Sequence, residues 1–442
     1  MENFSPEALL TERFGTGRVD TIFALSSGSP PAAIAIIRIS GPLAPHAAVT
    51  LAGSLPEPRR ASLRTFKGST GEVLDSALVL HFPARSSVTG EPLVELHAHG
   101  GRAVVRAILT ELSGMEGLRE AFPGEFTRRA FENGRIDLTE AEGLADLLEA
   151  ETELQRRAAL AVAGGSVRRQ VEAWRERLVL LSARAEAAID YVGDEDEVSD
   201  ADHGIAAEAV AISAELSTWL DQPRSELLKD GIRVVLAGPP NAGKSSLLNA
   251  LVGIDKAIVT PVAGTTRDVI EVPLQLEGVP LVLVDTAGLH ESADEVERIG
   301  VHLAEQQVRN ADILLWLGNA ELAPPHPRRL VVRSKADLGR VPDTAEGLAV
   351  SSVTQAGLRE LKSGLVRISR EILPSPDAET LNQRQATALG EAASALEEVV
   401  PDDIVLTAEA LRQARSALDR TIGRAGVEDV LDALFGRFCL GK

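Results

Sequence analysis

Short apolar runs punctuated by glycine and proline occupy the first third of the chain, and apolar positions at helical spacing dominate the next third. Between about residues 20 and 135, the runs 33–39, 77–82 and 93–97 predict strands. After His99-Gly100-Gly101 the apolar positions of 102–109 repeat at helical spacing, so this part is expected to be an α/β domain. Thr139-Glu140-Ala141-Glu142 has the form of a capping box and predicts one long helix through Leu144, Leu147, Leu148, Leu154 and Leu160, broken at Gly164-Gly165. A second helix carries Val171, Trp174, Leu178, Leu181 and Ile189 on one face and stops before the acidic run Asp194-Glu195-Asp196-Glu197, expected to be a solvated connector. A third spans about 205–228. Alternating strands and helices then form a second α/β unit, with apolar runs at 232–237, 279–284, 329–332 and 348–350. Helices resume after Pro374-Ser375-Pro376, carrying Leu389 and Leu396, then Leu411 and Leu418, then Leu431 and Leu434. Helical segments on both sides of a compact α/β unit imply an insertion, because an inserted domain has its ends close together. The expected fold class is therefore α/β plus all-α plus α/β: an N-terminal domain over 1–137, one discontinuous helical domain over 138–229 and 373–442, and an inserted domain over 230–372.

Composition bounds this picture without changing it. A chain of 442 residues exceeds what one core usually holds. With 44% hydrophobic and 25% charged residues it is globular, and no apolar stretch reaches the roughly 18 residues of a membrane span. The segment Met1-Glu2-Asn3-Phe4-Ser5-Pro6 lacks the basic flank and apolar core of a signal peptide, so a cytoplasmic protein is expected. One cysteine, Cys439, excludes an internal disulfide and a structural zinc site built by cysteines. A net charge of −20 counts against a broad nucleic-acid surface, since phosphate backbones are held chiefly by Lys and Arg. Any RNA contact is expected to be local or shared with a partner.

Candidate chemistry concentrates in the second α/β unit. Gly238-Pro239-Pro240-Asn241-Ala242-Gly243-Lys244-Ser245 fits the phosphate-binding pattern G-x-x-x-x-G-K-[ST], and it follows an apolar run and precedes a helical one, the order that pattern requires. Glycines let backbone amides face the phosphates, Lys244 supplies a cation, Ser245 offers a hydroxyl to magnesium, and the helix dipole favours the anion. Asp285-Thr286-Ala287-Gly288 ends another apolar run and supplies the magnesium-side Asp285. Between them Gly264-Thr265-Thr266-Arg267-Asp268 has the character of a switch loop that folds a threonine hydroxyl onto the metal. Ser334-Lys335-Ala336-Asp337 resembles the Asn-Lys-x-Asp guanine motif of small GTPases, with Ser334 in the place of Asn, and Ser351-Ser352 stands where the last base-contacting loop usually has Ser-Ala. Together, in this order and on strand ends, these pieces point to GTP. In the N-terminal domain two apolar runs each carry one charge, Arg38 and Glu95. Either both face solvent from half-exposed strands, or both line a ligand cleft.

Over essentially its whole length the chain resembles the MnmE (TrmE) family of tRNA-modification GTPases. The resemblance rests on Asp20-Thr21-Ile22, Arg38-Ile39-Ser40-Gly41, Thr89-Gly90-Glu91 with Glu95, His99-Gly100-Gly101, Pro123-Gly124-Glu125-Phe126-Thr127-Arg128-Arg129-Ala130-Phe131 and the ending Phe438-Cys439-Leu440-Gly441-Lys442. It implies an N-terminal domain that binds reduced folate (5-formyl- or methylene-tetrahydrofolate) through Arg38, Glu95, Arg135 and Lys442 and that also forms a homodimer. Arg135 stands where many members have Lys. It further implies a partner, MnmG, that holds FAD and joins this chain in a heterotetramer. The pair is expected to add an aminomethyl or carboxymethylaminomethyl group to C5 of the wobble uridine of certain tRNAs. Two other classes remain beside this one: a GTP switch for ribosome assembly, which predicts an appended basic RNA-binding module, and a self-contained folate-dependent transferase with a regulatory GTPase.

The GTP site implied by the same resemblance comprises Asn241, Ala242, Gly243, Lys244, Ser245, Ser246, Thr260, Thr265, Thr266, Asp285, Thr286, Ala287, Gly288, Ser334, Lys335, Asp337, Ser351 and Ser352, with Ser245 and Thr266 on magnesium. Leu289 occupies the position where Ras-type GTPases keep a water-orienting Gln, and a leucine cannot orient water. The resemblance assigns that role to Glu297, acting with Lys244 and Thr266. It also implies a potassium ion on Asn241, helped by carbonyls around Thr260, Val262 and Thr265, where an arginine finger would otherwise place its charge. The residues alone leave Asn241 equally open to a loop-stabilising role. Cys439 is either a small buried hydrophobe or a reactive or positioning group beside the folate.

Overall fold

A computed structural model of the chain describes residues 20–190, 198–222, 224–254, 270–285, 306–339, 346–374, 380–400, 403–426, 428–438 and 441. The expectations for Asp194–Glu197, Thr260, Val262, Thr265, Thr266, Thr286, Ala287, Gly288, Leu289, Glu297, Cys439 and Lys442 fall outside these residues. Contacts divide the chain into two compact units, one of residues up to Ala145 and from Ile422, the other from Asp146 to Thr421. This line runs elsewhere than the sequence segments, because the C-terminal residues pack with the first unit.

In the first unit six strands lie in the order β3-β4-β5-β2-β1-β6: β1 (Thr21–Leu25), β2 (Ile34–Ser40), β3 (Ser62–Lys67), β4 (Val73–Phe82), β5 (Leu93–His99) and β6 (Leu118–Glu120). All pair antiparallel except β1 with β6. Alternation sets the two faces. Ala35, Ile37, Ile39, Val94, Leu96 and Ala98 are buried against the helices Ala44–Ala52 and Arg102–Ser113, while Arg38 and Glu95 project from the opposite face. Spacing alone did not single out β1, β3 or β6; β3 alternates exposed and half-covered residues and carries only Phe66 into the core.

The predicted single helix from Thr139 to Leu160 is two, Leu138–Glu149 and Glu153–Ala163. The second begins at Thr152, whose hydroxyl accepts the Gln155 amide at 3.2 Å while the Gln155 side chain accepts the Thr152 amide at 2.8 Å. Thr152-Glu153-Leu154-Gln155 is itself a capping box, a start signal for a new helix that the continuing apolar period obscured. The first helix is capped two residues earlier than expected, since the Asp137 carboxylate accepts from the Glu140 amide and the Glu140 carboxylate accepts from the Asp137 amide, each at 2.8 Å. The helix Glu428–Phe435 packs into the same unit, with Phe435 and Phe438 buried beside Leu138, Ala141 and Leu431. Gly124 makes this possible. It adopts φ 72°, and a Cβ there would lie 2.2 Å from the Phe435 carbonyl oxygen. We expect Gly124→Ala to cost about 2 kcal/mol or more through backbone strain and this overlap, lowering the melting temperature of the first unit in a thermal unfolding measurement.

In the second unit the helices Ser166–Asp190, Val198–Leu220, Gln383–Glu397 and Ile404–Thr421 pack side by side. Trp174 is fully buried, donates to Glu215 at 2.8 Å and meets Trp219 edge-on with centroids 5.2 Å apart. The expected 205–228 helix ends at Leu220, and a separate turn, Glu226–Lys229, comes after it; Pro223, which has no amide hydrogen, lies between them. The sheet of this unit runs β12-β11-β10-β7-β9-β8, with β7 (Ile232–Ala237), β8 (Ile270–Leu276), β9 (Val279–Asp285), β10 (Ile313–Leu317), β11 (Arg329–Arg333) and β12 (Leu348–Ala349). Only β8 is antiparallel to its neighbour.

Candidate functional site: a phosphate loop and a guanine clamp

Strand β7 has β10 on one side and β9 on the other, so the strand order reverses there and a crevice opens at the carboxyl ends of the strands. The phosphate loop leaves β7 at this point. A Cβ on Gly238 would lie 2.3 Å from the Leu317 carbonyl oxygen, so only glycine lets the loop pass the end of β10. Asn241 and Gly243 have φ 61° and 91°, the left-handed turns that bring the chain round to the helix Lys244–Ile254. Lys244 is buried, and its ammonium donates to the carbonyls of Gly238 and Pro239 at 3.0 and 3.3 Å. Burial pushes its pKa below the ordinary lysine range, with the Asp285 charge acting in the opposite direction. Asp285, buried at the end of β9, accepts a 2.6 Å hydrogen bond from the Ser245 hydroxyl.

The base side of the crevice is built by the ends of β11 and β12. Ser334 donates its hydroxyl hydrogen to the Ala242 carbonyl, and the Lys335 ammonium donates to the Asn241 carbonyl at 2.7 Å. Two successive residues after β11 thus hold the phosphate loop. Ser351 is fully buried; its hydroxyl donates to Asp337 at 2.5 Å and accepts from the Val353 and Thr354 amides. This aims the exposed Asp337 carboxylate. Ser246 and Ser352, the remaining described members of the expected set, lie one residue further along at each end of the clamp.

In the first unit Arg38 and Glu95 are directly opposite on β2 and β5 and form a 2.9 Å ion pair, and the other Glu95 oxygen meets His97 Nε2 at 3.0 Å. Burial works against the Glu95 charge, but His97 and Arg38 overcome it and hold the carboxyl below its ordinary pKa. Neither charge stands alone toward solvent, since their side chains are 28% and 16% exposed. His97 was not among the expected residues; its period-two spacing from Glu95 on one strand was the available signal. Arg135 is exposed, with its Cγ 3.2 Å from the Cβ position of Gly90, and no described contact brings it to Glu95. Gly441 has φ 88°, and a Cβ there would fall 2.3 Å from the Leu25 carbonyl oxygen, so this glycine lies against the end of β1.

Several motif residues prove to be structural. Arg129, nearly buried, donates to the Asp20 carbonyl and carboxylate at 2.9 Å, to Glu91 at 3.2 Å and to Glu125 at 3.1 Å. Arg119 also bonds Asp20 and forks onto both oxygens of Glu125. Ser40 joins Thr89 and Glu91 at 2.8 and 2.9 Å. The charges of three sequence motifs, with Arg119, thereby neutralise one another and pin the helix Glu125–Glu132 to the sheet.

A family model described as the MnmE helical domain matches residues 138–439, and one described as the GTP-binding protein TrmE N-terminus matches residues 21–135. The tRNA modification GTPase MnmE of Erythrobacter litoralis is 52% identical over 426 residues, covering 96% of this chain and 100% of that protein. The proteins of the same description from Novosphingobium aromaticivorans and Zymomonas mobilis are 52% and 51% identical, again covering 96% of this chain and 100% of their own. Among solved structures, the G domain of the T. maritima FeoB iron transporter is 26% identical over 31% of this chain and 98% of its own, with a TM-score of 0.25. A phosphate loop joined to a guanine clamp, matches to both flanking domains and half of all residues shared along nearly the full length lead to one assignment: the chain belongs to the tRNA modification GTPase MnmE family.

Proposed function

We propose that this chain hydrolyses GTP to drive, with an FAD-holding partner of the MnmG kind, the addition of an aminomethyl or carboxymethylaminomethyl group to C5 of the wobble uridine of certain tRNAs. The observation that carries the reading is the pairing of two sites in one chain: the nucleotide clamp, and the Arg38–Glu95–His97 cluster with Gly441 at the end of the neighbouring strand β1.

For hydrolysis, the Ser245 hydroxyl and the Asp285 carboxylate, 2.6 Å apart, offer the hard oxygen donors that magnesium prefers, and Thr266 completes the set. Magnesium there supplies charge neutralisation on the phosphates. The Lys244 ammonium, held by two loop carbonyls, is placed to move onto the outer phosphates. Asn241, with Thr260, Val262 and Thr265, would hold potassium, and Glu297 would orient the attacking water. For the carbon unit, Glu95 offers a carboxylate with a paired cation, a set suited to the amino and ring N–H groups of a reduced folate. Arg38, Arg135 and Lys442 supply positive charge for its acidic tail, and Cys439 lies close enough in sequence to act beside it. The protein works in the cytoplasm as a homodimer through its N-terminal domain, and with its partner as a heterotetramer.

Two variants test the reading, by wobble-uridine nucleoside analysis in cells lacking the gene and by GTP turnover and binding of the purified chain. Removing residues 439–442 should abolish modification and leave GTP hydrolysis within about two-fold of the parent, since every expected nucleotide residue precedes 353. Glu297→Ala should lower hydrolysis at least a hundred-fold and leave GTP affinity within a few-fold, because a water-orienting group acts on the transition state. Normal modification by the truncated chain would return the tail to a packing role.

A further inference from the structure

The guanine clamp departs from its usual composition at Ser334, and the hydrogen-bond count at that residue bears on specificity. Ser334 follows β11 and donates to the Ala242 carbonyl of the phosphate loop. A hydroxyl has one hydrogen, whereas an asparagine amide has two. Asn at this position can hold the loop with one N–H and offer the other to the base; Ser334 has spent its only hydrogen on the loop. Its side chain is also shorter. Guanine presents N7 as an acceptor on the edge opposite its Watson–Crick face, and Lys335, the adjacent cation, donates one of its three ammonium hydrogens to the Asn241 carbonyl at 2.7 Å, which directs it toward the phosphate loop. On the other edge Asp337 is held by Ser351.

We propose that Ser334 is a specificity-determining residue that, unlike an asparagine, has no hydrogen left to offer guanine N7, so that this site accepts guanine nucleotides in which N7 is replaced by carbon as readily as the natural ones. The inference rests on the placement of guanine against Asp337.

The test is competition of GDP and 7-deaza-GDP against a fluorescent guanine nucleotide on the full-length chain. The ratio of the two dissociation constants should lie within two-fold of one. Ser334→Asn should raise that ratio about three- to ten-fold, the worth of one regained hydrogen bond, by tightening GDP alone. Ser334→Ala should weaken both nucleotides by the same factor, because it releases the loop and nothing on the base. A wild-type preference for GDP above two-fold overturns the inference, as does an unchanged ratio in Ser334→Asn or a smaller one in Ser334→Ala. Asp337→Asn separates this from the placement of the base: if that variant binds GDP as tightly as the parent, the placement fails, whereas a lost affinity with a discriminating wild type fails only the role of Ser334.

Discussion

Asp337→Asn should lower GTP affinity about a hundred-fold or more and raise affinity for xanthosine triphosphate by a comparable factor. The carboxylate is acceptor-only and matches the two N–H donors on the Watson–Crick side of guanine. An amide replaces one acceptor with a donor, which opposes the guanine amino group and matches the carbonyl that xanthine carries instead. Charge-assisted hydrogen bonds are worth about 1.5–3 kcal/mol each, and a site built for a donor rejects its absence strongly. Ser351 amplifies the effect by fixing the side chain at 2.5 Å. Binding of both nucleotides to the variant measures it; unchanged GTP affinity would remove Asp337 from the base site.

Arg129→Met should destabilise the first unit by about 3–5 kcal/mol, because it deletes one partner of a nearly buried ion network, takes the cation from Glu91 and leaves Glu125 with Arg119 alone. For a unit of this size the melting temperature should fall by about 10 °C. Acid should unmask the same network. Burial works against the Asp20 charge, but Arg119 and Arg129 hold its carboxyl below the ordinary range. Its folded pKa is therefore depressed, so the stability it contributes is present above the unfolded value of about 4 and is lost as pH falls through the folded value. Asp20 is 37% exposed, so solvent screening keeps its own share small. The variant should unfold at a higher pH than the parent in an acid titration followed by circular dichroism. Nucleotide binding, which lies in the other unit, should be retained by any folded fraction.

The phosphate loop, Asp285 and the Ser334–Asp337 segment were legible because each is a short local pattern whose geometry is dictated by its own residues: glycine and asparagine at positive φ, a lysine at a helix start, an aspartate at a strand end. The strands that carry them were legible for a related reason, since buried parallel strands are unbroken apolar runs. The helix break at Thr152 was written in the sequence as a capping box and lost only to the stronger apolar period around it. Other features depend on residues far apart in the chain and could not be read locally. Nothing near Arg38 says that it lies opposite Glu95, because strand register is a long-range property. The motif around Gly124 to Arg129 carries the same letters whether it binds a ligand or braces a sheet; only the positions of Asp20, Glu91 and Phe435 show that its charges are neutralised internally and that its glycine makes room for a helix more than 300 residues away. By itself the sequence determined the course of the phosphate loop from strand to helix, since local backbone conformation and side-chain chemistry suffice for that. The tertiary structure decided which charges are free to act, because a charge's partner is set by pairing across the fold, and that pairing is not encoded in its neighbours.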